Sequence, residues 1–426
     1  MRQRRFDPLA LLHLSVGVAM TLLVVISRPA EGDPTVFSTI AGESARGLVA
    51  YRDYPAEYPP LALVQIDLPR LLGGPSPQTY ILIFTFISVL VTLATGAAIY
   101  WLARRRWSTE SPANATLLFT GLVLAGAPLV FWRFDILAAL LTTLGLVAYA
   151  LCRPAWSGLA LGLGALTKLY PGALVPIFAL AQLFERHVRW AVLVVAGAAL
   201  AVVAVMAQVF LVAGTGAFSF LAYQQERGVE IESVSGGIAL LASVLGRVNT
   251  AISFGFGSWQ VSSPIIDALS IPQLVLNAVL LAALLAGLWI SFSREARNGG
   301  RIEPETLVRY SLAALLVVML INKVLSPQYL VWLLPFAALL PSRQSVLLLV
   351  IVVLTVLLYP LGFESLLHVE PAAVLELNLR NLLLLVYFAW VCWPRPAPSP
   401  APADPAPRSE RGYVRQTAQQ SGRDPE

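Results

Sequence analysis

Charge is scarce in this chain: of its 426 residues, 12% are Asp, Glu, Lys or Arg, against 57% hydrophobic residues. A water-soluble domain carries about 25% charged residues. Half that share leaves too little polar surface to face water, which excludes an ordinary soluble enzyme or binding module. Lysine is scarcer still, with Lys168 and Lys323 the two representatives among 29 basic residues. The two cysteines, Cys152 and Cys392, exclude a disulfide framework and a metal knuckle. Both read as small packing residues near helix ends. The three histidines, His13, His187 and His368, fall in three separate segments, which argues against a histidine-cluster metal site. No Asp-X-Asp, phosphate-binding glycine loop or serine nucleophile elbow occurs, and this argues against soluble nucleotide-sugar and ATP chemistry. The formal charge of +5 does not point to nucleic acid, because no basic stretch is interleaved with aromatics in a soluble segment.

What the chain does have is apolar runs of about 20 residues, each long enough to cross a hydrocarbon core of roughly 30 Å. The fold class is therefore an all-α polytopic membrane protein with about 10–12 transmembrane helices. Spans are expected near residues 8–28, 79–103, 114–131, 135–152, 190–213, 270–292, 306–322, 329–341, 344–360 and 379–393. The apolar stretch 155–184 is broken at Lys168-Leu169-Tyr170-Pro171 and reads as two short helices meeting at one face. The first run follows Arg2, Arg4 and Arg5 and is too long for a signal h-region of about 7–15 residues, so it reads as a retained span. Arg104, Arg105, Arg106, Arg153, Arg186, Arg189, Arg294, Arg297, Arg301, Arg309 and Arg343 cluster on one side of this layout. By the positive-inside rule that side is cytoplasmic, with both termini on it. Long extracytoplasmic loops are expected over 29–78 and 214–268. Residues 1–393 form the membrane domain, and 394–426 a Pro-rich, disordered cytoplasmic tail.

Ionisable groups at membrane depth are costly and so mark function. Here they gather at the outer ends of apolar segments, and the span interiors read as almost free of charge. Lys168 and Lys323 each precede a helix-breaking proline on that face. They are either snorkelling lysines or a cationic cradle for a phosphate. Asp33, just past the first span, is either a solvated loop acid or a general base. Arg133 and Asp135 share one outer turn. Arg227, Glu230 and Glu232 share the second outer loop, and both sets also read as solvated ion pairs.

Several landmarks resemble the multi-spanning glycosyltransferases of the GT-C fold, and most closely glycosyltransferase family 87. They are Asp33, Glu57-Tyr58-Pro59-Pro60-Leu61, Arg133-Phe134-Asp135, Gly164-Ala165-Leu166-Thr167-Lys168-Leu169-Tyr170-Pro171, Arg227-Gly228-Val229-Glu230-Ile231-Glu232-Ser233 and Asn322-Lys323-Val324-Leu325-Ser326-Pro327-Gln328-Tyr329. The resemblance implies transfer of a hexose, with mannose expected, from a polyprenyl-phosphate donor to a glycolipid or glycan acceptor. The active site is then extracytoplasmic, in the cell membrane. Asp33 is the implied base, with Asp53 and Glu57 as alternatives in the same loop. Lys168, Lys323, Arg133, Asp135, Arg227, Glu232, Tyr58 and Gln328 are the expected substrate-binding residues. No cofactor is expected, because the donor phosphate bond supplies the energy; the use of a divalent metal stays open. The partners are membrane lipids, the lipid-linked donor and the acceptor, and no nucleic acid. The competing class is a transporter or flippase for a lipid-linked sugar or polyisoprenoid, which would place its charges near the midplane.

Overall fold

The computed structural model describes residues 12–19 and 33–393. Residues 12–19, part of the expected first span, are helical. The tail from Pro394 lies outside the described residues. Seventeen helices are labelled below, and one short hairpin joins them. The elements run α1 (Asp33–Ala45), α2 (Pro60–Gly73), α3 (Pro77–Arg104), α4 (Pro112–Ala125), α5 (Ala127–Phe131), α6 (Asp135–Ala150), α7 (Pro154–Thr167), α8 (Leu174–Phe184), α9 (Val188–Ala213), α10 (Ser219–Glu226) and α11 (Val234–Val244). A two-stranded antiparallel hairpin, β1 (Ala251–Gly255) and β2 (Ser258–Ser262), precedes α12 (Pro264–Gly299), α13 (Pro304–Leu320), α14 (Leu334–Leu339), α15 (Ser342–Val356), α16 (Phe363–Leu367) and α17 (Pro371–Cys392).

Proline sets many of these starts. Pro60, Pro77, Pro112, Pro154, Pro264, Pro304 and Pro371 each open a helix. The first turn leaves its N–H groups without intrahelical partners, and proline has none to waste there. Ser76, Ser111 and Ser233 cap their helices by accepting from Thr79, Asn114 and Gly236 N–H.

Among the described residues, five helices are long and apolar enough to cross a membrane: Pro77–Arg104, Val188–Glu226, Pro264–Gly299, Ser342–Leu361 and Pro371–Cys392. Five shorter apolar helices of 10–17 residues accompany them. The outermost are apolar toward their surroundings, with Leu200, Val203 and Leu211 exposed on α9 and Ile271, Leu274 and Trp289 on α12. At the centre stands α13, where every residue from Thr306 to Val317 is buried. Tyr329 to Leu340 beside it are buried too. A helix apolar all round belongs in the middle of a bundle. α7 and α9 pack backbone to backbone through small residues: a Cβ on Gly162 would fall 2.6 Å from the Ala198 carbonyl oxygen.

Several expectations are corrected. The stretch 29–78 is no loop from Asp33 on, because α1 and α2 fill most of it. The middle stretch holds α10, α11 and the hairpin in place of a plain loop, while the mostly helical membrane architecture is as expected. The last span begins at Pro371, eight residues before the expected start, which moves Arg380 from the edge of the span to its middle. With Arg309 also buried in α13, the span interiors are not free of charge. Cys392 is buried as expected, but Cys152 is exposed.

The basic turns share one end of the bundle. Glu110 accepts from Ser342 N–H, Glu185 from Ile302 N–H, and the Trp393 carbonyl from Arg309. The opposite end holds the site.

Candidate functional site

At that end a cavity of about 630 Å³ is enclosed by segments from most of the chain. Each segment is shaped by a local break. Asp33 occupies the first turn of α1. Arg133 lies in the bend between α5 and α6, and Asp135 is the first residue of α6. α7 ends at Thr167 because Pro171, four residues on, has no N–H to donate back. The chain there turns extended at Lys168 (φ −152°, ψ 138°), then tightens into a 3-10 turn at Tyr170–Ala173. The segment 227–233 is strapped to the hairpin, Val261 N–H donating to the Val229 carbonyl at 2.8 Å and Ile231 N–H to the Trp259 carbonyl at 2.9 Å. On its other side Glu230 N–H donates to the Lys323 carbonyl at 2.9 Å.

Eight of the nine expected site residues line this cavity: Asp33, Tyr58, Arg133, Asp135, Lys168, Arg227, Glu232 and Gln328. The ninth, Lys323, does not. Its ammonium donates to the Gln225 carbonyl at 2.7 Å, and its side chain lines a separate open groove beside α12. The expectation that the two lysines face one anionic group is therefore not met. Of the alternative bases, Glu57 lines the cavity, whereas Asp53 lies on the exposed surface. Asp53 is bound by Arg52, whose hydrogen bond, with one from Val49 N–H, holds the carboxyl at about 2.

The cavity charges are organised in pairs. Asp33 forms an ion pair with Arg133, whose guanidinium also donates to the Tyr359 hydroxyl at 2.7 Å. Lys168 Nζ lies 3.3 Å from the buried Asp135 carboxylate, over the rings of Phe134 and Tyr329. Trp332 Nε1–H donates to the same carboxylate at 2.7 Å. Trp332 is itself stacked between Tyr170 and Tyr329, both ring centroids 4.1 Å away. Arg227 differs. It is 8% exposed, it donates to Gln224 Oε1 at 3.4 Å, and its Nε has no partner. Among the described residues, no carboxylate lies within ion-pair distance of it. A buried cation with no ion-pair contact of its own is costly unless a ligand supplies one.

Two further acids complete the wall. Glu230 accepts from the Ser326 hydroxyl at 2.6 Å. Burial pushes its carboxyl above the ordinary range, with the Ser326 hydrogen bond and the Arg227 charge opposing. Burial likewise pushes Glu232 up to about 8, against the pull of Arg380 and with a push from Glu230. Among the described residues, no group of three or more His, Cys, Asp or Glu comes together as metal donors.

Sequence reasoning missed Trp332, Tyr359 and Arg380. The aromatics are hidden because a ring in an apolar run is the commonest core residue. Arg380 had a signal, since Glu376, Asn378 and Asn381 cluster around it in an otherwise apolar run.

Compared with known proteins, residues 57–322 match the family model of glycosyltransferase family 87. That stretch holds Tyr58, Arg133, Asp135, Lys168, Arg227 and Glu232, while Asp33, Lys323 and Gln328 fall outside it. No curated protein matches the chain. Solved structures similar to the chain include the following. One is ArnT from Cupriavidus metallidurans bound to undecaprenyl phosphate, at 16% identity and TM-score 0.49, over 90% of this chain and 76% of that one. Another is the Archaeoglobus fulgidus oligosaccharyltransferase tethered to an acceptor peptide containing the NVT sequon, at 15% identity and TM-score 0.41, over 89% of this chain and 54% of that one.

Proposed function

We propose that the chain, which belongs to glycosyltransferase family 87, transfers a hexose, mannose in the first instance, from a polyprenyl-phosphate donor to a glycolipid or glycan acceptor. The observation that carries this reading is Arg227, a buried cavity cation with an unpartnered Nε and, among the described residues, no carboxylate within ion-pair distance. A phosphate is the ligand such a guanidinium fits, and Lys168 lines the same cavity.

The mechanism follows from the charges. An acceptor hydroxyl attacks the anomeric carbon, and Asp33 takes its proton. The bond from that carbon to the phosphate oxygen breaks, and its electron pair leaves with the polyprenyl phosphate. Arg227 and Lys168 stabilise the growing charge there, where it counts most for rate. Arg133 orients Asp33 through their ion pair. One displacement inverts the anomeric centre, so a β-linked donor gives an α-linked product. The donor phosphate bond supplies the energy, and no cofactor is required.

The cavity is assigned to the extracytoplasmic face of the cell membrane because the Arg-rich turns gather at the other end of the bundle. The Pro-rich tail then follows α17 on the cytoplasmic side. A cysteine introduced at Ser108 should stay unlabelled by an impermeant thiol reagent in intact cells, and one at Ser44 should react.

The direct test supplies purified protein with radiolabelled polyprenyl-phosphate-mannose and acceptor lipid. Label is expected in a glycosylated product, with Arg227→Met losing on the order of 10²-fold in turnover. Movement of donor across a vesicle bilayer without covalent transfer would instead support a flippase.

A further inference from the structure

We propose that Glu230 and Glu232 read the hydroxyl groups of the sugar being transferred, and that Arg380 is a positioning residue that holds these two acids in place. This deepens the glycosyl-transfer reading and rests on it.

Start from what is left unpaired. Glu230 is 5% exposed and Glu232 3%, and both line the cavity. Glu230 Oε1 accepts from Ser326, but Oε2 has no hydrogen-bond partner. Glu232 Oε1 has none either, its nearest cation being Arg380 Nη2 at 3.9 Å. Buried polar atoms are satisfied in nearly all native structures, so acceptors left open on a cavity wall point to a donor brought by a ligand. Gln328, on the same cavity, also carries an unpartnered buried Oε1. A sugar presents neighbouring hydroxyls, each both donor and acceptor. A carboxyl pairs with them in either protonation state, through two acceptor oxygens when ionised or through one O–H and one acceptor oxygen when neutral.

The donor sugar is favoured over the acceptor by the order of residues on the strap. Arg227, assigned to the phosphate, lies within six residues of both acids. The sugar is bonded directly to that phosphate, so its hydroxyls must lie beside the phosphate site. Asp33, the assigned base, sits on a different segment with Arg133, and that is where the acceptor hydroxyl has to approach.

Arg380 stands behind the strap. It is fully buried, and its Nη2 donates to the Glu232 carbonyl at 3.0 Å. Asn381 Nδ2 donates to the Ser233 carbonyl at 3.2 Å and Asn378 Nδ2 to the Gly237 carbonyl at 2.9 Å. α17 thus fixes the backbone of the strap, and Arg380 supplies the charge facing Glu232.

The test uses the full-length protein and a set of polyprenyl-phosphate donors, each lacking one sugar hydroxyl. In the wild type, at least one monodeoxy donor should lose on the order of 10²-fold or more in kcat/KM, since a site built to bind a hydroxyl rejects the analogue without it. In Glu230→Gln or Glu232→Gln, the penalty for that same hydroxyl should shrink by about tenfold or more, the mark of a direct coupling. Arg380→Lys should raise the donor KM and compress the hydroxyl penalties while the acceptor KM holds. A role confined to folding would lower active protein without changing the penalties. The wild-type arm depends on no variant folding: if every monodeoxy donor turns over within about threefold of its parent, the proposal is wrong. It is equally wrong if the penalties persist unchanged in both Gln variants, or if the variants compress penalties on deoxy acceptors instead. A wild-type protein that transfers no sugar from any polyprenyl-phosphate donor would overturn the glycosyl-transfer reading itself, and this inference with it.

Discussion

Lys168 and Asp135 form a 3.3 Å ion pair at the wall of the cavity, with the carboxylate almost wholly buried and also bound by Trp332 Nε1–H. Breaking a buried pair by removing one partner costs about 3–5 kcal/mol, because the other charge is left uncompensated. Lys168→Met should therefore lower both the melting temperature of the detergent-solubilised protein and its turnover. In the double variant Lys168→Met/Asp135→Asn the melting temperature should largely recover, while turnover stays low. Recovery of both together would reduce Lys168 to a structural partner of Asp135.

The second lysine behaves differently. Lys323 donates to the Gln225 carbonyl outside the cavity, and its own carbonyl, not its side chain, supports Glu230. Lys323→Met keeps that backbone bond, so turnover should remain within about threefold of wild type. Arg227→Met, by contrast, removes a transition-state contact worth about 2–4 kcal/mol by analogy with an oxyanion donor. Arg227→Lys should rescue only part of the loss, because a point charge does not reproduce a planar fork. Equal losses at Lys323 and Arg227, each measured as turnover per folded molecule, would restore Lys323 to the site.

Glu232 makes stability depend on pH in a direction that can be worked out. Its carboxyl rises from an ordinary 4.5 to about 8 in the folded protein, chiefly through burial. Between those values the folded state binds more protons than the unfolded chain, so stability falls as pH rises. The contribution is fully present below about 4.5 and lost above about 8. Melting temperatures of wild type and Glu232→Gln, taken across that window, should converge or cross as pH increases, with wild type losing more. Parallel curves would mean that the Glu232 carboxyl titrates at its ordinary value.

Much of the site was legible because helix ends announce themselves. Asp33, Arg133, Asp135 and Lys168 are charges where apolar runs stop, and the structure brings all four to one cavity. Direction was not legible. Lys168 and Lys323 look alike in sequence, yet the backbone turns one inward and the other toward the Gln225 carbonyl. The first outer stretch was read as a loop although Pro60 carries the helix-start signal that opens α2. Arg380 escaped notice because Glu376, Asn378, Arg380 and Asn381 interrupt the apolar run, so that the expected span began only at 379 and its buried middle read as its start. α13 shows no face in its sequence because it has none in the structure.

The central claim is that this cavity performs glycosyl transfer with Asp33 as base. It is tested most directly by measuring, at saturating donor and acceptor, the turnover of purified wild type and Asp33→Asn with radiolabelled polyprenyl-phosphate-mannose. The amide keeps the shape of the carboxylate and an oxygen for Arg133, but it cannot take the acceptor's proton. Turnover should fall by about 10²–10⁴-fold while donor binding and melting temperature stay near wild type. Wild-type turnover in Asp33→Asn would contradict the assignment and move the base to Glu57, the other first-segment acid on the cavity.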